Sequence, residues 1–334
     1  MGRARHRARK TGWRVVAIGG GTGLPVVLTG LKREIGRRID SLTAVVTVTD
    51  DGGSSGRLRE ELKILPPGDI RNCLVALAEV EPLMSRLFQY RFRGEGGLSG
   101  HSFGNLFLAA LAQVTGDFLS AIQVSAKVLA VKGTILPSTL DNVRLGAEGA
   151  DGSIVIGEER LAQAPKPIRR VFLDPRECRP LPALLEAIDR AHLVVLGPGS
   201  LLSSVIPNLL VQGVADALRS SGALKVFVAN LMTEPRETAG FTLADQVASL
   251  VEHAGPGVVD GVVVNSRPLA ERVLARYRGA GSFPTRWDYD RVAQWGVWVH
   301  EADVAASGEK VRHHPQRLGR ALLDLLAREE EKGP

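Results

Sequence analysis

The sequence predicts an α/β protein of the Rossmann-like, doubly wound type, a mainly parallel sheet with a helical segment and a β-hairpin insertion. Three observations predict it. Short β-branched runs end in glycine loops, apolar residues at helical spacing follow those loops, and the alternation recurs along most of the 334 residues. A chain of this length, 44% hydrophobic and 23% charged, can bury a large core and is neither fibrous nor globally disordered.

The first unit is Val15-Val16-Ala17-Ile18, a run stopped by glycines, with Leu24, Val27, Leu28 and Leu31 at helical spacing behind it. Leu42 to Val48 reads as a strand buried on both faces, because it is almost continuously apolar, and a polar glycine loop is expected after Thr49-Asp50-Asp51. A helix is expected from Asp69, with Asp69 as its N-cap. Helical patterns at Pro82 to Gln89, Ser102 to Val114 and Phe118 to Leu129 make a helical segment over about 80–130. The glycine-rich stretch from Arg93 to Gly100 reads as a mobile loop, with His101 facing solvent. Residues 133–175 carry short β-like pieces and Asp151-Gly152, the signature of a β-hairpin insertion. Strands at Leu193 to Leu196, Leu224 to Ala229 and Val258 to Val264 then alternate with helices, completing one domain over residues 14–328, with a short tail at 329–334.

The formal charge of +6 comes from the first 14 residues. Arg3, Arg5, Arg7, Arg9, Lys10 and Arg14 meet no acid there, and removing these six from the 42 basic residues leaves 36 against 36 acids. Residues 1–13 are therefore read as a disordered, solubilising tail, with electrostatic contact to RNA or anionic lipid as the alternative, and no specific nucleic-acid partner is expected. No apolar run has the length of a transmembrane segment, and no signal peptide is recognisable. Cys73 and Cys178 lack metal-binding spacing and suit a reducing cytoplasm.

In a parallel sheet the carboxyl ends of the strands share one edge, where ligands bind. The loop Gly19-Gly20-Gly21-Thr22-Gly23 lets an anion approach the N–H groups that open the next helix, whose dipole favours negative charge. It lacks the Gly-Lys-Ser/Thr of a Walker motif, and Leu24 stands where a dinucleotide fingerprint has its third glycine, which weakens an NAD reading. Asp50 and Asp51 would repel each other unless a cation or donors share the site; ribose binding, Mg²⁺ coordination and turn capping all fit, and Gly53 and Ser54 continue that loop. Arg71 and Asn72 stand beside Asp69, within reach of a phosphate. Gly197-Pro198-Gly199-Ser200 repeats the logic of the first loop, and Asn230 to Pro235 ends the next strand in a similar polar turn. His313-His314 lack the one-face spacing of HExxH, and no GxSxG elbow or Ser-His-Asp set is present, so no catalytic residue is assigned.

The ordered motifs GGGTGL, TDDGGSSGRLR, PPGDIRNCL, GHSFGNL, LPSTLDNVRL, VVLGPGSL, IPNLLV and NLMTEP closely resemble those of the bacterial gluconeogenesis factor family, related to the 2-phospho-L-lactate transferases of coenzyme F420 biosynthesis, over roughly residues 14–325. The resemblance implies a Rossmann-like cytoplasmic protein that binds UDP-sugars such as UDP-N-acetylglucosamine and supports cell shape during gluconeogenic growth. Its implied nucleotide site comprises Gly20, Gly21, Thr22, Gly23, Asp50, Asp51, Asp69, Asn72, Gly197, Gly199, Ser200, Asn230 and Thr233, with Tyr277 and Arg312 added from later motifs. A tyrosine stacks on a base and an arginine pairs with a diphosphate. Arg236 departs from the glycine expected after NLMTEP.

The preferred expectation is a sugar-nucleotide-binding regulator that signals to an unidentified protein partner, with a homo-oligomer left open. The alternative is a transferase in which Asp50 or Asp51 holds Mg²⁺ during attack on a nucleoside diphosphate ester. An NAD-linked oxidoreductase is the third.

Overall fold

The computed structural model describes residues 12–161 and 168–332. Most of the expected basic tail lies outside these residues, and Trp13 already belongs to the first strand.

Seven strands form one parallel sheet: β1 (Trp13–Gly19), β2 (Ile39–Val46), β3 (Thr134–Pro137), β7 (Leu193–Leu196), β8 (Leu224–Val228), β9 (Gly261–Asn265) and β10 (Trp298–Ala302). A small antiparallel sheet holds β4 (Arg144–Gly149), β5 (Ile154–Ile156) and β6 (Ile168–Asp174). The large sheet has the order β10-β9-β8-β7-β1-β2-β3. The chain therefore runs outward from β1 through β2 to β3, then returns to β7 and runs outward the other way. This reversal opens a crevice at the carboxyl ends of β1 and β7.

The first unit folds as its pattern dictates. Val15, Val16, Ala17 and Ile18 are buried in β1, and Leu24, Val27, Leu28 and Leu31 form the buried face of the helix Leu24–Lys32. That helix crosses the C-terminal helix Pro315–Lys332 at Gly30 and Gly319, where a β-carbon on Gly30 would lie 2.1 Å from the Pro315 carbonyl oxygen. The C-terminal helix extends into the segment expected to be a tail.

Several expectations are corrected. The polar loop after Asp51 is a helix, Gly53–Leu62, whose buried face includes Ser54, Ser55, Leu58 and Arg59. Its buried residues are largely polar, so apolar periodicity does not reveal it. The first piece of the expected hairpin insertion, β3, joins the edge of the large sheet, and the insertion itself has three strands because β6 pairs with β4. The helix expected at Asp69 spans Gly68–Leu77, with Pro67 at the capping position, so the Asp69 carboxylate is free to bond elsewhere. His101 is buried at 4% exposure, against the expectation of a solvent-facing side chain.

Among the described residues no single helix is long and apolar enough to cross a membrane.

Candidate functional site

A cleft of about 450 Å³ lies at the switch point between β1 and β7. Gly21, Thr22 and Gly23 form one wall, Gly199 and Ser200 face them, and Asn230, Thr233, Tyr277 and Arg312 complete the lining with Glu234 and His313. Nine of the residues expected from sequence thus meet in one space.

Each loop is shaped by contacts that only glycine permits. Gly21 has a φ of +60°. A β-carbon on Gly23 would sit 2.0 Å from the Pro198 carbonyl oxygen, so the two glycine loops pack backbone against backbone. Gly197, with φ +71°, turns the chain out of β7. Asn230 then fixes the second loop in both directions: its Nδ2 donates to the Gly199 carbonyl at 2.8 Å, and its Oδ1 accepts from the Gly199 N–H at 3.3 Å.

The Gly21 N–H is not open to a phosphate, because it donates to Asp69 Oδ2 at 2.7 Å. Asn72 Nδ2 donates to the Gly21 carbonyl at 3.3 Å. Among the described residues the Thr22 and Gly23 N–H groups have no acceptor, which leaves them to face an anion at the start of the helix. Gly20 lies against Asp69 and Thr47, where a β-carbon would come within 2.6 Å of both. Gly20, Asp69, Asn72 and Gly197 therefore hold the loops without lining the cleft.

Arg71 does not reach the cleft. Its guanidinium donates to Ser102 Oγ at 2.6 Å, Asn105 Oδ1 at 3.1 Å and Asn72 Oδ1 at 2.7 Å. Ser54 Oγ accepts from Asn105 Nδ2 at 3.0 Å and pairs with His101 Nδ1 at the same distance. These bonds make one continuous network from the helix Gly53–Leu62 through Arg71 and Asn72 to the glycine loop. Burial and the Arg57 charge lower the His101 pKa, which keeps the ring neutral within that network. Gly53, at φ +49°, opens the helix at the surface.

The acidic pair separates. Asp50 Oδ1 accepts from the Gly52 N–H at 3.0 Å, whereas Asp51 Oδ1 accepts from the Glu159 N–H at 3.0 Å, on the small sheet's side. The two carboxylates thus bond to different elements. Among the described residues no group of three or more His, Cys, Asp or Glu is placed to hold a metal ion. Asp50 instead acts on Asp69. Burial pushes the Asp69 carboxyl up to about 6, the Gly21 N–H partly opposes this, and the charge of Asp50 adds to the rise.

Three further acidic residues, Glu158 and Glu237 outside the quoted motifs and Glu234 within NLMTEP, have raised carboxyl pKa values. Burial raises Glu158 well above the usual carboxylate range, and Asp50, Asp69, Glu237 and Asp51 push in the same direction. Glu237 is raised to about 7 by burial and by the charge of Glu234; Ser203 Oγ donates to its Oε1 at 2.8 Å. Glu234, raised by burial, accepts from Ser200 Oγ at 2.7 Å. Nothing local in the sequence distinguishes Glu237 or Glu158. His313, whose spacing to His314 argues only against a metal site, has a different place in the fold. It is buried on the cleft wall, and burial lowers its pKa to about 4, so it is a neutral lining residue. Arg236 is exposed and does not line the cleft.

The topology and the cleft define a doubly wound α/β protein with a glycine-walled ligand crevice at its switch point. A family model described as 2-phospho-L-lactate transferase CofD matches residues 15–305, and the gluconeogenesis factor of Halalkalibacterium halodurans is 46% identical over 311 residues, covering 93% of this chain and 95% of that protein. The gluconeogenesis factor of Bacillus subtilis is 44% identical over 314 residues, 94% of this chain and 98% of its own length. A crystal structure of a Bacillus halodurans protein superposes with a TM-score of 0.90 at 46% identity, covering 94% of this chain and 100% of that one. The chain belongs to the CofD family and, within it, to the gluconeogenesis factors.

Proposed function

We propose that the protein binds a UDP-sugar of the UDP-N-acetylglucosamine type in this cleft and acts as a regulator of cell shape during gluconeogenic growth. The observation that carries the reading is that Tyr277 and Arg312 line the same cleft as the two glycine loops. Tyr277 is held there because its hydroxyl accepts from the Val311 N–H at 3.0 Å, which ties the helix Glu271–Gly279 to the segment carrying Arg312. An aromatic ring for a base, a guanidinium for a diphosphate and free N–H groups at a helix start are the parts a nucleotide-sugar needs. The cleft volume of about 450 Å³ lies in the ordinary range of ligand pockets.

Calorimetry with UDP-N-acetylglucosamine, GDP and NAD side by side, with and without Mg²⁺, tests the reading. Saturable binding of the uridine ligand is expected, weakened at least tenfold in Arg312→Gln. Failure of the uridine ligand to bind in the presence of Mg²⁺ overturns it. The physiological part is tested by deleting the gene and growing cells on a gluconeogenic carbon source. Misshapen cells, rescued by the wild-type gene and not by Arg312→Gln, are expected; normal morphology rejects the cell-shape role.

A second reading, a Mg²⁺-dependent transferase, draws on the electrostatic contact between Asp50 and Asp69. The Asp50 charge raises the proton affinity of Asp69, a repulsion that a divalent cation bound near them would relieve. The residues to test are then Asp50 and Asp69 rather than the Asp50–Asp51 pair. Mg²⁺-dependent turnover of a nucleoside diphosphate ester that disappears in Asp50→Asn would favour this reading over a pure sensor.

A further inference from the structure

A second, polar-walled pocket of about 270 Å³ lies on the far side of Asp51, between the helix Gly53–Leu62 and the small sheet. Its lining includes Arg59, Arg144 and Arg160, contributed by three separate elements: that helix, β4 and the short helix Glu158–Leu161. Arg59 is only 5% exposed. Its Nη2 donates at 2.6 Å to Asn142 Oδ1 and to the Val143 carbonyl, while its Nη1 is buried with no partner. A guanidinium nitrogen buried without an acceptor costs more than an ordinary missing bond, because the group is charged.

Asp51, Glu60 and Glu159 also line the pocket, and Asp51 and Glu60 attract the Arg59 charge. Asp51 Oδ1 accepts from the Glu159 N–H, and Glu60, Glu159, Arg144 and Arg160 are exposed, so Arg59 is the one arginine of the three that is buried. None of the three arginines forms an ion pair among the described residues. Arg144 stands close enough to Arg59 for their charges to oppose each other, a repulsion that an anion between them would relieve.

We infer that this pocket is a second ligand site, taking the phosphate group of a small phosphorylated metabolite against Arg59, Arg144 and Arg160. The unpartnered Arg59 Nη1, flanked by Arg144 and Arg160, offers paired N–H donors to the several acceptor oxygens of a phosphate, more than the two oxygens of a monocarboxylate would use. The volume admits a compact phosphate ester and is smaller than the nucleotide-sized cleft. The site adjoins the cleft through the Asp50–Asp51 turn, with Asp51 bonding the Glu159 N–H on its side and Asp50 charging Asp69 on the other.

The test titrates inorganic phosphate into the full-length protein by calorimetry at constant ionic strength, with acetate as a parallel arm. Three proteins are compared: wild type, Arg144→Gln and Arg312→Gln. Arg144 is exposed, so its replacement leaves the core intact, and Arg312 belongs to the cleft. Saturable phosphate binding is expected in wild type and Arg312→Gln, with affinity at least tenfold weaker in Arg144→Gln. Absence of saturable binding overturns the proposal, as does loss in Arg312→Gln with retention in Arg144→Gln, which would place the ion in the cleft. Acetate binding as tightly as phosphate would overturn the assignment to a phosphate group. Failure of this site leaves the UDP-sugar reading of the cleft untouched, because the two are probed by different variants.

Discussion

Asp69 makes stability depend on pH in a direction opposite to that of a carboxylate in an ion pair. Its carboxyl is pushed up from 3.8 to about 6, first by burial. The folded state therefore holds the proton more tightly than the unfolded chain. The stability this provides is fully present below about pH 4 and is lost as pH rises through about 6. A displacement of this size corresponds to about 3 kcal/mol at 1.36 kcal/mol per pKa unit, and solvent reaching the partly accessible group reduces it toward about 1–2 kcal/mol. Asp69→Asn removes the titration and keeps an amide oxygen that can accept from the Gly21 N–H. Urea unfolding of both proteins at pH 4.5 and pH 7.5 measures the effect. The stability of Asp69→Asn relative to wild type is expected to rise by about 1–2 kcal/mol between the two pH values. Glu158 feels the Asp69 charge, so relief there adds with the same sign. A stability difference that does not change with pH would refute the reasoning.

Gly23→Ala tests the contact between the loops. Its φ of −78° suits alanine, so the cost comes from the contact with Pro198, 2.0 Å from the new β-carbon. Overpacking of this kind costs about 1–3 kcal/mol, and separation of the loops is expected to weaken nucleotide binding at least tenfold; calorimetry showing unchanged affinity would mean that the walls do not act together. Gly30→Ala, facing the Pro315 carbonyl, is expected to destabilise the fold by about 1–3 kcal/mol through the helix crossing alone. Its denaturation midpoint should fall while its ligand affinity, measured at a temperature where both proteins are folded, stays within twofold of wild type.

The fold was legible wherever hydrophobic period and chain punctuation agree. β7 is buried along its whole length and followed by glycines, and the structure gives it the expected bounds, Leu193–Leu196. Agreement failed where a buried face is polar. The helix Gly53–Leu62 starts with Gly-Ser-Ser-Gly, a turn composition, and packs Arg59 inward, so nothing local announces it. The strand β3 has only four residues and draws its pairing from β2, distant in sequence. At the site, Gly21, Gly23, Gly199 and Ser200 could be placed because a strand-end glycine has one local meaning, whereas Asp69 carried two. A first-turn aspartate reads as a cap, and only the fold brings the Gly21 N–H to its carboxylate. Asp50 and Asp51 show the same limit: adjacency suggests a shared ligand, but successive residues of an extended chain face apart. Glu158 and Glu237 come to the site from distant segments, and their unusual protonation follows from burial that the sequence does not display.

The most direct test of the account is a single calorimetric titration of UDP-N-acetylglucosamine into the wild-type protein and into Tyr277→Ala and Arg312→Gln in the presence of Mg²⁺. The account predicts saturable one-site binding to wild type, tighter than that of GDP or NAD, and at least tenfold weaker in each variant. Equal affinity in all three proteins, or no binding to wild type, would contradict it.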